Sequence, residues 1–394
     1  MTFMKRLYLF PYFYPYSTFR ECFLEDEIKY LAKEFDEIFL VPYYYDNIIR
    51  EYPKNCQLVP SDVSYPDKRR FSFNRKTLVS FLKELFRSEV LSSPRKIKRL
   101  LSQYFRLNYM LNSEKIKDVF SSLTSEDVLY FYWGNGYNSL AVLPDCKAKM
   151  VSRFHGWGDL WEDEYDGYLP FRKQIMANLD AVVTISKKGF DFLKTKYPYA
   201  KVSFSPLGSD DYGLCLDNSE SNSIRILSCS MVYPLKRVDL IFHSLLKLED
   251  LKIKWTHIGG GDDLEKIKQM TDTISHPNVE INFLGEMLHD KVMKYLKNNR
   301  FDVFINLSTI EGVPVSIMEA ISFDIPVVAT DVGGTSDVVP SECGVLVSSN
   351  PSEIEVANAI RNVLKGHFTP RSFWESHYSI DNNYGEFAKF ISEL

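Results

Sequence analysis

The chain has 394 residues, with 47 Lys plus Arg against 52 Asp plus Glu, 45% hydrophobic residues and only 18 Gly and 18 Pro. That length predicts two domains with ordinary cores, and the composition excludes collagen-like, low-complexity and wholly disordered chains. A net charge of -5 argues against a generally basic nucleic-acid binder, so no nucleic-acid partner is expected.

Apolar strand-like runs alternate with helical patterns from end to end, which predicts an α/β chain built on parallel sheets. The first predicted strand, Arg6–Phe10, opens a stretch in which seven aromatics fall between Tyr8 and Phe19. These either pack under the first helix or offer stacking faces to a sugar or lipid. Glu25, Asp26 and Glu27 open that helix and complement its dipole. A second strand is predicted at Glu37–Pro42.

Between Lys68 and Arg106 twelve Lys and Arg face only Glu84 and Glu89, so one surface of one domain is strongly cationic. Two helical stripes run through this part, Leu78/Phe81/Leu82/Leu85/Phe86 and Ile97/Leu100/Leu101/Tyr104/Phe105. A basic amphipathic segment with aromatics suits the surface of an anionic bilayer, at about 1 kcal/mol per basic residue near that surface. The alternative is a helical insertion, at about residues 68–111, that packs its stripes on the domain.

Strands follow at Asp127–Tyr132, Lys149–Phe154, Ala181–Ile185 and Val202–Phe204. The second of these runs into His155 and Gly156, just past a buried strand, where a residue of an α/β domain meets its ligand. Residues 206–224 are polar and rich in Gly, Asp, Asn and Ser, which predicts a linker and a domain boundary near residue 206. Six more strands are predicted beyond it, at Ile224–Cys229, Lys254–Ile258, Glu280–Phe283, Val303–Asn306, Val327–Ala329 and Gly344–Val347. Two doubly wound domains of this kind are expected to leave a cleft between the carboxyl ends of their sheets.

The strongest signal lies in residues 303–339. A strand leads into a loop with Glu311 and Gly312, then Pro314, a helix over Val315–Phe323 and another strand. The free N–H groups at the start of that helix, at Val315 and Ser316, suit a phosphate. Two carboxylates flank this anion site: Glu319 suits a ribose and Glu311 a sugar ring, because a carboxylate accepts hydrogen bonds from vicinal hydroxyls. The Gly259–Gly261 cluster is no dinucleotide fingerprint and marks a tight strand-to-helix turn.

EGVPVSIMEA at Glu311–Ala320, followed by PVVATDVGG at Pro326–Gly334, resembles the E-x7-E signature of retaining glycosyltransferase family 4, which has the GT-B fold. The likeness continues upstream. Residues 227–241 resemble the family's phosphate-binding loop, in which Lys236 takes the place of its lysine; His257–Gly261 resembles its glycine-rich strand end, including Gly260. Phe283–Gly285 with Glu286, Met287 and Leu288 resembles its base-contacting turn. In the first half, SRFHG at 152–156 with Asp159, then GYLPFR at 167–172 and the run 180–189, resembles polysaccharide-building members. The family's Gly-rich first loop is absent, and Met231 stands where it usually carries an Arg; Arg237 is the candidate to supply that second charge.

The resemblance implies two Rossmann-like domains, 1–205 for the acceptor and 206–372 for the donor, with residues 373–394 returning to the first domain. It implies retaining transfer of a hexosyl unit, with an α-linkage, from a UDP- or GDP-linked sugar to a cell-surface glycan or lipid-linked acceptor. Lys236, Arg237 and the Val315–Ser316 helix start would hold the diphosphate, Glu319 the ribose, Glu311 with Gly312 and Val313 the sugar, and His155 the same sugar. Asp159 and Tyr14 would lie on the acceptor side.

No D-x-D-like site is evident and the other six histidines show no ligand spacing, so no metal or cofactor is expected. The cysteines at 22, 56, 146, 215, 229 and 343 form no C-x-x-C pair, and neither a spanning helix nor a signal peptide is expected. A cytoplasmic protein, peripheral on the inner face of the membrane, is therefore expected. A nucleotide-sugar hydrolase or phosphorylase, and an inactive membrane scaffold with a decayed donor site, are the rival readings.

Overall fold

The computed structural model describes residues 4–17, 20–21, 23–60, 63, 74–143, 145–156, 158–216 and 222–394. The chain divides into two units, Met1–Ser205 together with Tyr384–Leu394, and Pro206–Asn383.

Unit 1 is a seven-stranded sheet of β1 (Arg6–Phe10), β2 (Glu37–Leu40), β3 (Cys56–Leu58), β4 (Val128–Phe131), β5 (Lys149–Phe154), β6 (Ala181–Thr184) and β7 (Val202–Phe204), in the order β3-β2-β1-β4-β5-β6-β7. Every pair is parallel. Both faces are covered: Tyr8 and Phe10 join one buried cluster, while Leu7 and Leu9 join the other, as the two-residue period of a strand requires. The helix Leu24–Glu34 buries Leu24, Glu27, Ile28 and Leu31, one stripe at helical spacing.

Unit 2 is a six-stranded sheet of β8 (Ile224–Cys229), β9 (Ile253–Ile258), β10 (Val279–Gly285), β11 (Val303–Asn306), β12 (Val327–Thr330) and β13 (Gly344–Val347), in the order β10-β9-β8-β11-β12-β13. All its pairs are parallel too. In both units the strand order reverses direction at the first strand, so the loops after β1 and β4, and after β8 and β11, flank the switch points where such sheets collect ligands.

The twelve expected strands are all present; β3 is additional. The expected helix over Val315–Phe323 runs Val315–Ser322, with Pro314 as its cap residue. The returning segment begins later than residue 373. The helix Pro370–His377 stays in unit 2, where Trp374 Nε1 donates to Ser209 Oγ at 2.7 Å and Ser379 bridges to Ser209. The last helix, Ile380–Ser392, starts in unit 2 and packs from Tyr384 onward in unit 1, burying Phe387, Ala388 and Ile391. There the Arg153 guanidinium lies 4.5 Å over the Phe387 ring and pairs with buried Glu27 at 2.5 Å.

The basic segment is helical over Arg75–Leu85, Ser88–Leu91 and Pro94–Asn112; residues 64–73 lie outside the described residues. Its stripes split. Phe81, Leu100 and Tyr104 are buried in unit 1, whereas Leu78, Leu82, Phe86, Leu101 and Phe105 are exposed. Among the described residues no helix is long and apolar enough to cross a membrane.

Candidate functional site

In unit 2 the loops at the carboxyl ends of β8, β9, β11 and β12 are tied together by backbone. Ser230 N–H donates to Ile258 at 3.0 Å and Val232 N–H to Gly260 at 2.6 Å. The glycines there answer to this close approach: Gly259 has φ +142, and a Cβ on it would lie 1.8 Å from the Ser230 carbonyl oxygen. Thr309 N–H donates to Leu235 at 2.8 Å and Gly334 N–H to Gly312 at 2.7 Å, while a Cβ on Gly333 would sit 1.8 Å from the Glu311 carbonyl oxygen. The Gly333-Gly334 pair thus serves to seat one loop on another.

This scaffold holds the expected donor residues in a small region. Lys236, at the end of a 3-10 turn, pairs through Nζ with Glu311 Oε1 at 2.6 Å, and Asn306 Nδ2 donates to the same oxygen at 3.3 Å. Gly312 and Val313 lead on to Pro314 and the helix Val315–Ser322, whose first N–H groups, from Val315 and Ser316, have no carbonyl of the preceding turn to meet. Glu319, on that helix, meets a residue outside the expected set: His289 Nε2 lies 2.7 Å from Glu319 Oε1. Glu286 lies beside Gly260, where a Cβ would come 3.1 Å from Glu286 Cβ. Met287 and Leu288 follow it, and Leu288 caps the helix His289–Asn298 that carries His289.

Arg237, the candidate for the missing second charge, turns its guanidinium away from Lys236. Its backbone is left-handed at φ +49, and its guanidinium faces carbonyls: Nε donates to Leu307 at 2.6 Å, and Nη2 to Ser308 at 3.1 Å and Ser349 at 3.0 Å. With Nη1 reaching Asn350 Oδ1 at 3.4 Å, the side chain is a brace between the end of β11 and the loop after β13. Met231, where the resembled family has Arg, is exposed.

In unit 1, His155 follows β5 directly and is 7% exposed. Its ring sits among Trp133 (4.3 Å between centroids), Tyr132 (4.8 Å) and Phe23 (6.2 Å). Both ring nitrogens are buried without a hydrogen-bond partner among the described residues. Such groups carry a desolvation cost of about 1–3 kcal/mol until something bonds to them.

Asp159 is not an acceptor contact. It is fully buried and its carboxylate accepts from three backbone N–H groups, those of His155 (3.0 Å), Gly156 (2.8 Å) and Gly134 (3.1 Å). It therefore positions His155 by binding the loops after β4 and β5. Tyr14 is likewise withdrawn from the acceptor side, because its side chain is fully buried and its hydroxyl donates to the Glu51 carbonyl at 3.2 Å. The aromatic stretch is held from within by Glu21, which accepts from the backbone of Tyr12 (2.9 Å), Phe13 (2.7 Å) and Tyr14 (2.7 Å) and from Trp133 Nε1. Phe19 lies outside the described residues.

Sequence reasoning missed Glu21, His289, and the turn Gly134-Asn135-Gly136 after β4, although two glycines just past a buried strand were a readable signal. Gly136 has φ +63 and sits where a Cβ would meet Tyr12 Oη at 2.4 Å. Among the described residues no group of three or more His, Cys, Asp or Glu could hold a metal ion.

Residues 217–378 match the family described as glycosyl transferases group 1. An O-antigen biosynthesis glycosyltransferase of Escherichia coli, WbnH, is 28% identical over 262 residues, 64% of this chain and 68% of that one. Among solved structures, sucrose-phosphate synthase of Thermosynechococcus elongatus superposes with a TM-score of 0.71 at 14% identity, over 99% of each chain. Anabaena HepE in complex with UDP superposes with a TM-score of 0.64 at 14% identity, over 99% of this chain and 100% of that one. These likenesses thus support a glycosyltransferase of the GT-B type, with the match to glycosyl transferases group 1 confined to residues 217–378.

Proposed function

We propose that this enzyme transfers a hexosyl unit, with retention and formation of an α-glycosidic bond, from a UDP- or GDP-linked sugar to a glycan or lipid-linked oligosaccharide of the cell surface. The observation that carries this reading is the 2.6 Å pair of Lys236 and Glu311, which stands before a helix N-terminus that presents Glu319 about one turn on. Cation, helix dipole and two carboxylates are the groups a diphosphate, a sugar and a ribose require. The O-antigen relative supports the surface-glycan acceptor, and the UDP bound by HepE supports the donor.

In this reading the bond from the sugar C1 to the diphosphate oxygen breaks and the acceptor oxygen bonds to C1 on the same face. The acceptor proton passes to the departing phosphate. Lys236 and the Val315–Ser316 N–H groups stabilise the departing charge without a second guanidinium, since Arg237 is committed to carbonyls. Glu319 leaves His289 to hold the ribose hydroxyls, and Glu311 with the Gly312–Val313 backbone holds the sugar. No metal takes part. Exposed Leu78, Leu82, Phe86, Leu101 and Phe105, interleaved with Lys83, Arg87, Arg95 and Lys98, rest on the anionic inner face of the cytoplasmic membrane.

The test is thermal stabilisation of the full chain by UDP, GDP, ADP, CMP and their sugar conjugates, with and without magnesium, followed by NMR of the anomeric product. One nucleoside diphosphate is expected to raise the midpoint equally in both conditions, and its sugar conjugate to yield an α-linked product only when acceptor is present. Free sugar or sugar phosphate without acceptor identifies a hydrolase or phosphorylase. Silence across the panel identifies an inactive scaffold.

A further inference from the structure

Unit 1 contains a cavity of about 270 Å³ between the helix Pro94–Asn112 and the loops that follow β4 and β5. Its wall includes Arg99, Arg106 and Arg172 and, among the described residues, no Asp or Glu. Arg172 is 4% exposed; its Nη2 donates to the Asp159 carbonyl and its guanidinium lies 4.9 Å over the Phe154 ring, whereas Nη1 is buried with no hydrogen-bond partner among the described residues. The carboxylates nearest to Arg172 in charge are already engaged. Asp159 accepts the three backbone N–H groups above, and Glu162 is taken by Tyr197 Oη and by Lys196 Nζ at 2.8 Å.

Of the other two arginines, Arg99 donates to the Tyr165 and Tyr168 carbonyls and lies 3.6 Å from Asp166, so its charge is partly balanced. Arg106 has no hydrogen bond or ion pair among the described residues, and its field reaches the buried Tyr12 hydroxyl on the same wall. Burial lowers the pKa of Arg172, the direction expected of a cation with no full counter-charge. Two guanidinium charges therefore remain uncompensated around one small cavity, beside the amides of Gln103, Asn135 and Asn138. A carboxylate would balance one of them, whereas a phosphate carries about -1.5 to -2 and accepts forked bonds from both.

We propose that this cavity binds a phosphate or diphosphate ester carried by the acceptor, with Arg172 Nη1 and Arg106 as its ligands. The identity of the bound molecule as an acceptor rests on the glycosyltransferase reading; the anion site itself does not. Two molecules could bring the same group, a lipid-linked diphosphate or a soluble phosphosugar, and the exposed Leu101 and Phe105 on the helix that bears Arg106 favour the lipid.

The experiment is calorimetric titration of the full chain with inorganic pyrophosphate, in a Lys236→Ala background so that the donor loops of unit 2 do not report. Binding is expected to persist in that background, and to weaken at least tenfold on adding Arg106→Ala, an exposed position whose loss leaves the unfolding midpoint unchanged. Arg172→Lys, which keeps the charge and removes the fork, is expected to weaken it as strongly. Displacement by farnesyl diphosphate and by glucose 1-phosphate then separates the sources: preference for either supports the site, and stronger displacement by the prenyl compound identifies a lipid carrier. Unchanged pyrophosphate affinity in both arginine variants overturns the proposal, as does binding that disappears with Lys236→Ala alone. A silent nucleotide panel beside intact pyrophosphate binding removes the glycosyl-transfer reading and leaves this site standing.

Discussion

The two units treat their polar groups in different ways. In unit 2 the site side chains are already paired with one another: Lys236 with Glu311, His289 with Glu319, and Arg237 with three carbonyls and Asn350. In unit 1 the His155 ring and Arg172 Nη1 are buried with nothing bonded to them among the described residues. A ligand of unit 2 must therefore exchange existing pairs, so its affinity is a difference between two sets of strong contacts. A ligand of unit 1 meets groups whose desolvation cost was incurred when the chain folded, and each hydrogen bond it forms is largely net gain.

The largest expected effect tests the paired side. On the proposed reading, Lys236→Ala removes the cation that holds the diphosphate, and Glu319→Ala removes the carboxylate that holds the ribose. Each is expected to cut kcat/KM by about 10²–10³, the scale of losing one preorganised group that meets developing charge or positions the substrate. Both side chains are partly exposed, at 27% and 12%, so the unfolding midpoint should hardly move. A near-native kcat/KM in either variant, measured at donor concentrations well below KM, would break the assignment of unit 2 as the donor side.

Most of the fold was legible because a buried parallel strand announces itself as a continuous apolar run: Val128–Phe131 and Val303–Asn306 are buried at every position. Cys56–Leu58 was not, since three residues with an exposed Gln57 at a sheet edge leave no pattern to read. In unit 2 the placement of Glu311 on a loop and Glu319 on the helix after it was legible from local pattern, whereas Lys236, 75 positions before Glu311, was named only by the resemblance and meets Glu311 through the fold. The errors share a physical cause. Sequence shows that Arg237 is a cation next to a phosphate-binding Lys, but not that a left-handed backbone at φ +49 turns it toward Leu307 and Ser308. It shows an Asp four residues after His155, but not that this carboxylate folds back onto the N–H groups of its own loop.

A smaller effect comes from a second buried histidine, and it sharpens the contrast with His155. His257, at the end of β9, is enclosed in the core of unit 2, with Nδ1 2.8 Å from Ser228 Oγ, and burial pulls its pKa down to about 4. The folded value lies below the unfolded 6.5, so the fold favours neutral imidazole. The associated stability is fully present above pH 6.5 and is lost as pH falls toward 4, by about 3 kcal/mol at the lower limit. Chemical denaturation of wild type and His257→Gln between pH 7 and 4 checks this. The variant should show a shallower decline by about that amount, and parallel curves would show that His257 is free to charge in the folded chain.

The smallest effect concerns Arg237, and it decides how much positive charge the donor loops present. If the side chain is a brace, Arg237→Lys keeps the charge but cannot reach Leu307, Ser308 and Ser349 together, and stability should fall by about 1–2 kcal/mol, one or two hydrogen bonds to carbonyls. The affinity for the preferred nucleoside diphosphate should then change less than twofold, because the loops at Lys236 and Glu311 are tied through Thr309 and Leu235 independently of the guanidinium. A tenfold loss of affinity at unchanged stability would mean that Arg237 leaves its carbonyls for the diphosphate when ligand binds. The enzyme would then restore, from the position after Lys236, the second charge that Met231 omits, and unit 2 would prove less fully committed to internal pairs than its unliganded geometry shows.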